Sequence, residues 1–247
     1  MQLCIDTSSR YGGVALSDTD GVVVEARLWH STANHTTQLM PSVAELLASR
    51  KLSAAELSGV AVALGPGPFS ALRVGVSAAK GLAMAAGYPI IGIDTLALEA
   101  RAHLTPDGIV SAWLDAGRNE VAAAWFRGSG ERVREDEIGS PDALLDDEPA
   151  PPDGVLIYCG EAANSRRDAI ENAEASGQAS HPAAVAPWTP AGRLWALAEL
   201  AAERLRDGDA DDLATLQPYY LRMPTIGAPK RRDTVRQGRS AAASTQN

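Results

Sequence analysis

The sequence predicts an α/β fold built from two lobes of similar architecture. Short apolar runs separated by Gly/Asp turns open the chain, a pattern typical of an antiparallel meander. The apolar run 60–64 has the length of a buried parallel strand, and a Gly/Pro loop then leads into a helix. After Asp94 the order strand, Asp-containing turn, strand recurs. We therefore expect an N-terminal lobe over residues 1–100 and a C-terminal lobe over residues 101–226.

The N-terminal lobe is predicted to begin with three strands and a helix. The strands cover 3–6, 14–16 and 22–28, with turns at 11–13 and 18–21. Apolar positions then recur every three or four residues, which places them on one face of a helix; they are His35, Leu39, Val43, Leu46 and Leu47. Asn34 could cap this helix, and Pro41 predicts a kink or a late start.

A second helix is predicted over 70–86, with Ser70 as its cap and Gly87 as its stop. Phe69 and Val74 are spaced as a hydrophobic staple. Before it, Ser53 and Glu56 match a capping box. The long helix is rich in small residues, which predicts that another backbone approaches it closely because glycine is costly inside a helix; they are Gly75, Ser77, Ala78, Ala79, Gly81 and Ala83.

The second half is predicted to contain strands over 109–114, 121–126 and 155–159 and a helix over 193–206. The last stretch, 227–247, is polar, lacks periodicity and is expected to be disordered. Its net charge is +4, since five basic residues face Asp233 alone. The alternative interpretation of this tail is a weak RNA-binding or partner-binding segment.

Composition limits the class of protein. Hydrophobic residues make up 45% of 247 residues, enough for a real core, and the net charge is −9. An acidic chain is a poor stand-alone binder of nucleic acid, so a role on RNA requires a basic partner. Cys4 and Cys159 lie in apolar, strand-like contexts and are expected to be buried thiols rather than a disulfide. Asp6 and Arg10 interrupt the apolar start, and no run is long enough to span a bilayer, so we expect a cytoplasmic protein without a signal peptide.

Two segments are candidates for ligand chemistry. Asp6, Thr7 and Ser8 follow a strand, where hydroxyls and backbone amides can hold phosphate and a carboxylate can hold a metal. A capped hairpin turn is the alternative interpretation. The loop 65–68 precedes a helix and resembles an anion-binding arrangement. It is not a P-loop, because no Gly-Lys-Ser/Thr follows, and a rigid turn that sets the helix angle is the alternative.

Metal and nucleophile chemistry are not indicated. None of the four histidines (His30, His35, His103 and His181) forms an i, i+4 pair or joins a Cys/His cluster. No Gly-x-Ser-x-Gly elbow is present, and no nucleophile sits beside an evident base.

Several stretches together resemble the TsaB (YeaZ-like) family, whose members are subunits of the bacterial tRNA threonylcarbamoyladenosine machinery. The matching stretches are 5–8, 35–47, 65–75, 79–83, 115–121, 159–163 and 218–222. The resemblance spans roughly residues 1–222. It implies two ribonuclease-H-like lobes of the actin/hexokinase-like (ASKHA) superfamily.

The resemblance also implies a non-catalytic scaffold or activator. Its partners would be the catalytic subunit TsaD, which modifies adenosine 37 of tRNAs reading codons that begin with A, and the ATPase TsaE. The chain would reach tRNA only through the complex and would form a homodimer when alone. No cofactor is implied for the chain by itself, and ATP or ADP at a complex interface stays open. The candidate nucleotide-binding residues are Asp6, Thr7, Ser8, Asp115 and Gly160.

The two helices of the first lobe are the expected partner-binding surface. The residues assigned to it are His35, Leu39, Val43, Leu46, Leu47, Val74, Ala78, Ala79 and Ala83. The alternative is that both helices only cover their own sheet.

The chain departs from the related catalytic subunit at its metal site. TsaD holds metal with a His-x-x-x-His pair, and the aligned positions are Thr95 and Glu99, so no metal is carried over. Gly117 and Ala122 also differ from the residues more usual in the family, as does the loop order 67–71. Two other functions stay open: a stand-alone ATP-using phosphotransferase with Asp6 and Asp115 on metal and phosphate, and a metallopeptidase, which the missing ligand pair disfavours.

Overall fold

A computed structural model describes residues 1–32, 35–151, 154–175 and 182–222. Its strands are β1 (Gln2–Asp6), β2 (Tyr11–Ser17), β3 (Val23–His30), β4 (Gly59–Gly65), β5 (Ile90–Asp94), β6 (Ile109–Gly117), β7 (Glu120–Arg127), β8 (Glu137–Gly139), β9 (Leu156–Cys159) and β10 (Ala183–Val185). Its helices are α1 (Leu39–Ser49), α2 (Phe69–Ala86), α3 (Thr95–Arg101), α4 (Pro141–Asp146), α5 (Glu161–Ser165), α6 (Arg167–Ala175) and α7 (Gly192–Arg206).

The strands form two five-stranded sheets of the same design. The first has the order β3-β2-β1-β4-β5 and the second the order β10-β9-β6-β7-β8. In the first, β1 is antiparallel to β2 and parallel to β4. In the second, β6 is antiparallel to β7 and parallel to β9. The predicted α/β fold and the repeated order of its elements are therefore confirmed, while the domain limits at residues 100 and 226 stay predictions.

Helices cover both faces of the first sheet. On one face α1 and α2 pack their apolar side chains, such as Leu46 and Val76, against Leu3 and Val62. On the other face α7 packs Leu197 and its neighbours against the strands. Helix α7 follows the second sheet in the chain yet packs against β1, β2, β4 and β5 of the first. A helix from the second half of the sequence is thus part of the core of the first lobe.

Most predicted elements are present, with shifted bounds. Helix α1 begins at Leu39, so Pro41 lies in its first turn and the expected late start is confirmed. The capping box of Ser53 and Glu56 is formed, on a short 3-10 turn at Ala54–Glu56. The proposed cap Asn34 and the tail 227–247 lie outside the described residues, as does His181.

The predicted turn at 11–13 is wrong, because these residues begin strand β2. A Cβ atom on Gly12 would collide with the Trp29 ring and with His35, so this glycine serves close packing rather than a turn. Helices α3 to α6 and strands β8 and β10 were not predicted. They are short or polar, and their sequences lack a clear period.

Both cysteines are buried and free, as expected. Burial raises the pKa of the Cys4 thiol to about 12, which disfavours the reactive thiolate. No helix among the described residues is long and apolar enough to cross a membrane.

The carboxyl group of Glu148 packs against the second sheet. Because its pKa is shifted there, we expect the stability of the protein to depend on pH. The Trp125 indole and the Ser111 hydroxyl both donate hydrogen bonds to its carboxyl group. Burial raises the pKa of Glu148 from 4.5 to about 7, although these donors and Arg134 oppose the shift. Between these two pH values the folded chain holds a proton that the unfolded chain has lost. Stability therefore falls as pH rises through this window, by roughly 2 to 3 kcal/mol.

Urea unfolding at pH 5 and pH 8 measures this difference. We expect Glu148→Gln, which keeps an acceptor for Trp125 but cannot ionise, to remove most of it. An unchanged pH dependence in the variant would assign the effect to other groups.

Candidate functional site: the cleft between the two sheets

A cleft with a volume of about 450 Å³ lies between the two lobes. The turn after β1 and the Gly/Pro loop line it from the first lobe. The β6–β7 hairpin lines it from the second lobe, and residues 219–222 close one side. Both candidate ligand segments of the first lobe therefore reach the same cleft.

The Gly/Pro loop is held against the end of β1 by very close contacts. A Cβ atom on Gly67 would collide with the Ser8 carbonyl oxygen, and one on Gly75 would collide with the Thr7 hydroxyl. The Thr7 hydroxyl donates to the Ala71 carbonyl at 2.7 Å. The small residues of α2 predicted the close approach of another backbone; at Gly75 it is the Thr7 side chain that approaches closely. At Gly81 a Cβ atom would meet nothing within 4 Å, so that glycine has another explanation.

The cap of α2 differs from the prediction. The residue at the N-cap is Pro68, and no side chain caps the helix. Ser70 lies inside the first turn, so its predicted capping role is wrong. Gly87 ends the helix in the left-handed conformation with φ 73°, as expected.

A buried arginine lies behind the turn that follows β1. Arg193 on α7 is fully buried and donates to three carboxylate or hydroxyl oxygens: Asp6 Oδ2 at 2.6 Å, Glu99 Oε1 at 2.9 Å and Ser9 Oγ at 2.8 Å. The Tyr11 carbonyl accepts a fourth bond at 3.2 Å. We call Asp6, Glu99 and Arg193 the buried ion cluster. It joins β1, α3 and α7.

The electrostatics of the buried ion cluster favour a charged arginine. Burial disfavours its positive charge, but the two carboxylates more than compensate and raise the pKa of Arg193. Burial raises the pKa of Glu99, while Arg193 and the Trp188 indole oppose the shift. The Trp188 Nε1 atom donates to the same Glu99 oxygen at 3.1 Å. Every partner in the cluster therefore has a hydrogen bond, as a buried charge requires.

The cluster leaves Asp6 unsuited to metal binding. Its Oδ1 atom accepts from the Ser8 backbone N–H at 2.8 Å and the Ser8 hydroxyl at 2.6 Å, and its Oδ2 atom accepts from Arg193. Within the described ranges no group of three His, Cys, Asp or Glu side chains could hold a metal ion. The donor set does not fit a metal ion, because both Asp6 oxygens already accept hydrogen bonds from within the chain. The role of Asp6 as a metal ligand in a phosphotransferase is thereby corrected.

The other nucleotide candidates lie in different environments. Ser8 and Asp115 line the cleft. The Asp115 side chain is exposed and accepts the Gly117 N–H at 2.9 Å. Thr7 is buried, and its hydroxyl already donates a hydrogen bond to the Ala71 carbonyl of α2. Gly160 has φ 98° and packs against the Trp113 backbone; it does not line the cleft itself, although the next residue, Glu161, does.

The β6–β7 hairpin presents a charged tip to the cleft. Arg118 and Asn119 have φ 56° and 60°, the pair of left-handed residues that a tight hairpin turn requires. Gly117 before them also has positive φ, and Arg118 lines the cleft. The Arg222 guanidinium binds the Glu120 carboxylate of the same hairpin at 2.7 Å.

Residues 216–222, which we call the strap, connect the two lobes across the cleft. The Tyr219 N–H donates to the Leu64 carbonyl in the first lobe at 2.8 Å. Its hydroxyl donates to Asp136 beside the second sheet at 3.0 Å. Lys80 on α2 donates to the Leu216 carbonyl at 2.8 Å. The sequence indicated this segment only by its resemblance to the family.

His35 is a buried support for the cleft turn. The Trp29 indole, which can only donate, binds its Nδ1 atom at 2.9 Å. The Nε2 atom therefore carries the proton and donates to the Ser9 carbonyl at 2.8 Å. His35 is 2% exposed, so it orients the turn at Ser9 rather than facing a partner.

The other residues assigned to partner binding divide into two groups. Six of them lie in the core of this chain: Leu39, Val43, Leu46, Leu47, Ala79 and Ala83. Val74 and Ala78 are partly exposed. The buried residues cannot form a surface contact, because in an amphipathic helix the periodic apolar stripe faces its own sheet.

The outer faces of α1 and α2 carry a different set of residues, which we call the outer helix face. Met84 is 72% exposed and Met40 is 46% exposed. The remaining members are small and exposed: Ala44, Ala48, Ser77, Gly81 and Ala85. Small exposed side chains of this kind allow another helix to approach closely.

The chain is similar in sequence to proteins that are named for the threonylcarbamoyl modification of tRNA. The family model "TsaD: tRNA N6-adenosine threonylcarbamoyltransferase" matches residues 29–154. The chain is 34% identical to the Bacillus subtilis tRNA threonylcarbamoyladenosine biosynthesis protein TsaB over 125 residues, 51% of this chain and 54% of the relative. It is 35% identical to the Escherichia coli TsaB over 127 residues, with the same shares of 51% and 54%. The chain thus spans about half the length of these curated relatives in the matched regions.

A solved structure has the same fold. It is a Pseudomonas aeruginosa protein with similarity to peptidase YeaZ, with a TM-score of 0.69 and 21% sequence identity. The match covers 90% of this chain and 99% of that one. With the same strand order in both sheets, this likeness confirms the predicted α/β fold of two similar lobes.

Proposed function

Because this chain belongs to the family of tRNA N6-adenosine threonylcarbamoyltransferases and resembles its TsaB (YeaZ-like) members, we propose that it takes part in tRNA threonylcarbamoyladenosine biosynthesis as a non-catalytic subunit. Its substrate would be tRNA, reached within a complex. The catalytic partner would be a TsaD subunit, and the ATPase TsaE would join them.

The buried ion cluster is the main observation that supports the proposed non-catalytic role. Arg193 forms ion pairs with the carboxylates of both Asp6 and Glu99, behind the turn that follows β1. A group that activates substrate or holds a metal needs a free carboxylate or lone pair facing the cleft. Here the carboxylates are buried and saturated, so they support structure rather than catalysis.

The outer helix face is the proposed contact surface for the partner. Helices α1 and α2 pack on the same face of the sheet, and their outward residues include exposed methionines and several small side chains. Exposed methionines adapt to apolar partners, and small neighbours allow close packing of a second helix pair. The same surface would form the homodimer of the isolated chain. ATP or ADP would bind in the cleft of the assembled complex.

Met84→Arg is expected to abolish or strongly weaken assembly with a TsaD subunit, because it places a charge at the centre of an apolar contact. Loss of an interface anchor typically costs at least about 2 kcal/mol, or about thirtyfold in affinity. Gel filtration of the mixed subunits measures the complex. Val155→Arg is the matched control, since Val155 is 41% exposed in the second lobe and lies outside the outer helix face. Equal assembly of both variants would show that this face is not the interface.

A stand-alone ATP-binding enzyme is the second candidate function. The cleft volume of about 450 Å³ favours it, since this is within the range of small-molecule sites. The saturated Asp6 disfavours it. Calorimetric titration of ATP into the isolated chain discriminates between the two: saturable binding that is lost in Asp115→Ala supports the enzyme, and no heat of binding supports the subunit.

A further inference from the structure

We infer that the mouth of the cleft contacts single-stranded RNA through an aromatic pair surrounded by free arginines. This inference rests on the proposed function, and it extends that function by giving this chain its own contact with the RNA substrate. The surface, which we call the cleft mouth, consists of Arg10, Phe69, Arg73, Arg118 and Tyr220.

The aromatic pair lies at the start of α2 and in the strap. The rings of Phe69 and Tyr220 have centroids 5.0 Å apart at an interplanar angle of 32°. Phe69 is 37% exposed, although it is large and apolar, and both residues line the cleft. The Arg73 guanidinium lies 5.2 Å from the centre of the Phe69 ring. An exposed ring with a neighbouring guanidinium is the arrangement on which unpaired nucleic-acid bases stack.

The arginines of the cleft mouth are available for phosphate. Most arginines in the described ranges are held by a carboxylate, among them Arg27, Arg101, Arg132, Arg193 and Arg204. Arg10, Arg73 and Arg118 take part in none of the ion pairs formed there. Arg10 and Arg118 line the same cleft as the aromatic pair, and Arg73 lies over the Phe69 ring.

The charge of the rest of the chain limits how the RNA is held. Net charge is −9 for the whole sequence, which opposes stand-alone binding. Residues 227–247, which come later in the sequence than the strap, carry a net charge of +4. We therefore expect a weak, strongly salt-dependent contact that orients RNA within the complex.

The arrangement favours RNA over a free nucleoside triphosphate. Asp115 and Glu161 line the cleft and would repel the concentrated charge of a polyphosphate more strongly than the single phosphate of one nucleotide. The buried ion cluster offers no carboxylate for the metal that would neutralise one. A single-stranded RNA has one phosphate per nucleotide and can place its bases on Phe69 while its backbone stays at the arginine-rich rim.

Fluorescence anisotropy of the full-length chain with a labelled single-stranded RNA of about 12 nucleotides, at low salt, tests the inference. We expect saturable binding that weakens steeply with added salt. Phe69→Ala should weaken it about tenfold through lost stacking. Arg73→Glu and Arg118→Glu should weaken it further and flatten the salt dependence. Arg206→Glu is the matched control, because this exposed arginine lines a separate depression on α7.

The outcomes separate the two proposals. No RNA binding, equal effects of the cleft and control variants, or binding of ATP without RNA would each overturn the RNA contact. The proposed function is tested separately, by measuring threonylcarbamoyladenosine in the tRNA of cells that lack this chain. The RNA-binding results do not affect that measurement.

Discussion

Arg193→Met should destabilise the folded protein by about 3 to 5 kcal/mol, the largest effect expected of a single substitution here. The change removes the cation that Asp6 and Glu99 share, and it leaves two carboxylates buried without a counter-charge. The Ser9 hydroxyl and Tyr11 carbonyl lose the same donor. The loss should shrink at acid pH, because burial raises the pKa of Glu99 and no guanidinium then opposes its protonation.

Urea unfolding measures this loss, and Arg101→Met provides the matched control. Arg101 lies on α3 with its side chain 30% exposed and pairs with Glu199 and Glu203 on the surface. Surface ion pairs contribute about 0 to 1 kcal/mol, so the control should be nearly as stable as the wild type. Similar losses for the two variants would mean that Arg193 does not hold the cleft turn together.

Gly67→Ala should destabilise the protein by about 2 to 3 kcal/mol and alter the cleft. The new methyl group would collide with the Ser8 carbonyl oxygen, a backbone atom that cannot rotate away. The turn after β1 and the Gly/Pro loop would have to separate. Thermal or urea unfolding gives the loss of stability, and the RNA and nucleotide titrations report the change in the cleft.

Gly81→Ala is the contrasting substitution in the same segment. Nothing lies within 4 Å of the added methyl group, and alanine favours a helix over glycine, so stability should rise by up to about 1 kcal/mol. Because Gly81 belongs to the outer helix face, the variant should assemble less well with a TsaD subunit even though it is more stable. A destabilised Gly81→Ala would contradict the open position of this residue.

Regular periodicity made the framework of the fold predictable. The three-to-four-residue spacing of Leu39, Val43 and Leu46 predicted α1, and the apolar run 60–64 predicted β4. The same periodicity was misleading about function, since a regular apolar stripe marks the face that packs on its own sheet. The exposed face contains residues such as Met84 and Gly81. The sequence singled out Gly81 as a small residue of α2, but it did not show which of the small residues face outward.

The buried ion cluster could not be predicted, because it depends on contacts between distant residues. Arg193 is 187 positions from Asp6 and 94 from Glu99 in the chain. In the sequence it is an ordinary charged residue at the start of a helix, where exposure is the normal expectation for arginine. Two members of the cluster did attract attention in the sequence: Asp6 as a candidate ligand residue, and Glu99 by its alignment with a metal ligand of the related catalytic subunit. The strap was likewise visible only as a family resemblance, since its contacts join Leu64 and Asp136 across the two lobes.

The threonylcarbamoyladenosine content of tRNA, measured by mass spectrometry in cells that lack this chain, tests the proposed function most directly. We expect the modified nucleoside to be lost, to return with the wild-type chain and the Val155→Arg control, and to stay low with Met84→Arg. It should also return with Asp115→Ala, because the chain acts as a partner and not as the catalyst. Normal levels of the nucleoside without the chain, or full rescue by Met84→Arg, would contradict a role for this protein as the partner subunit.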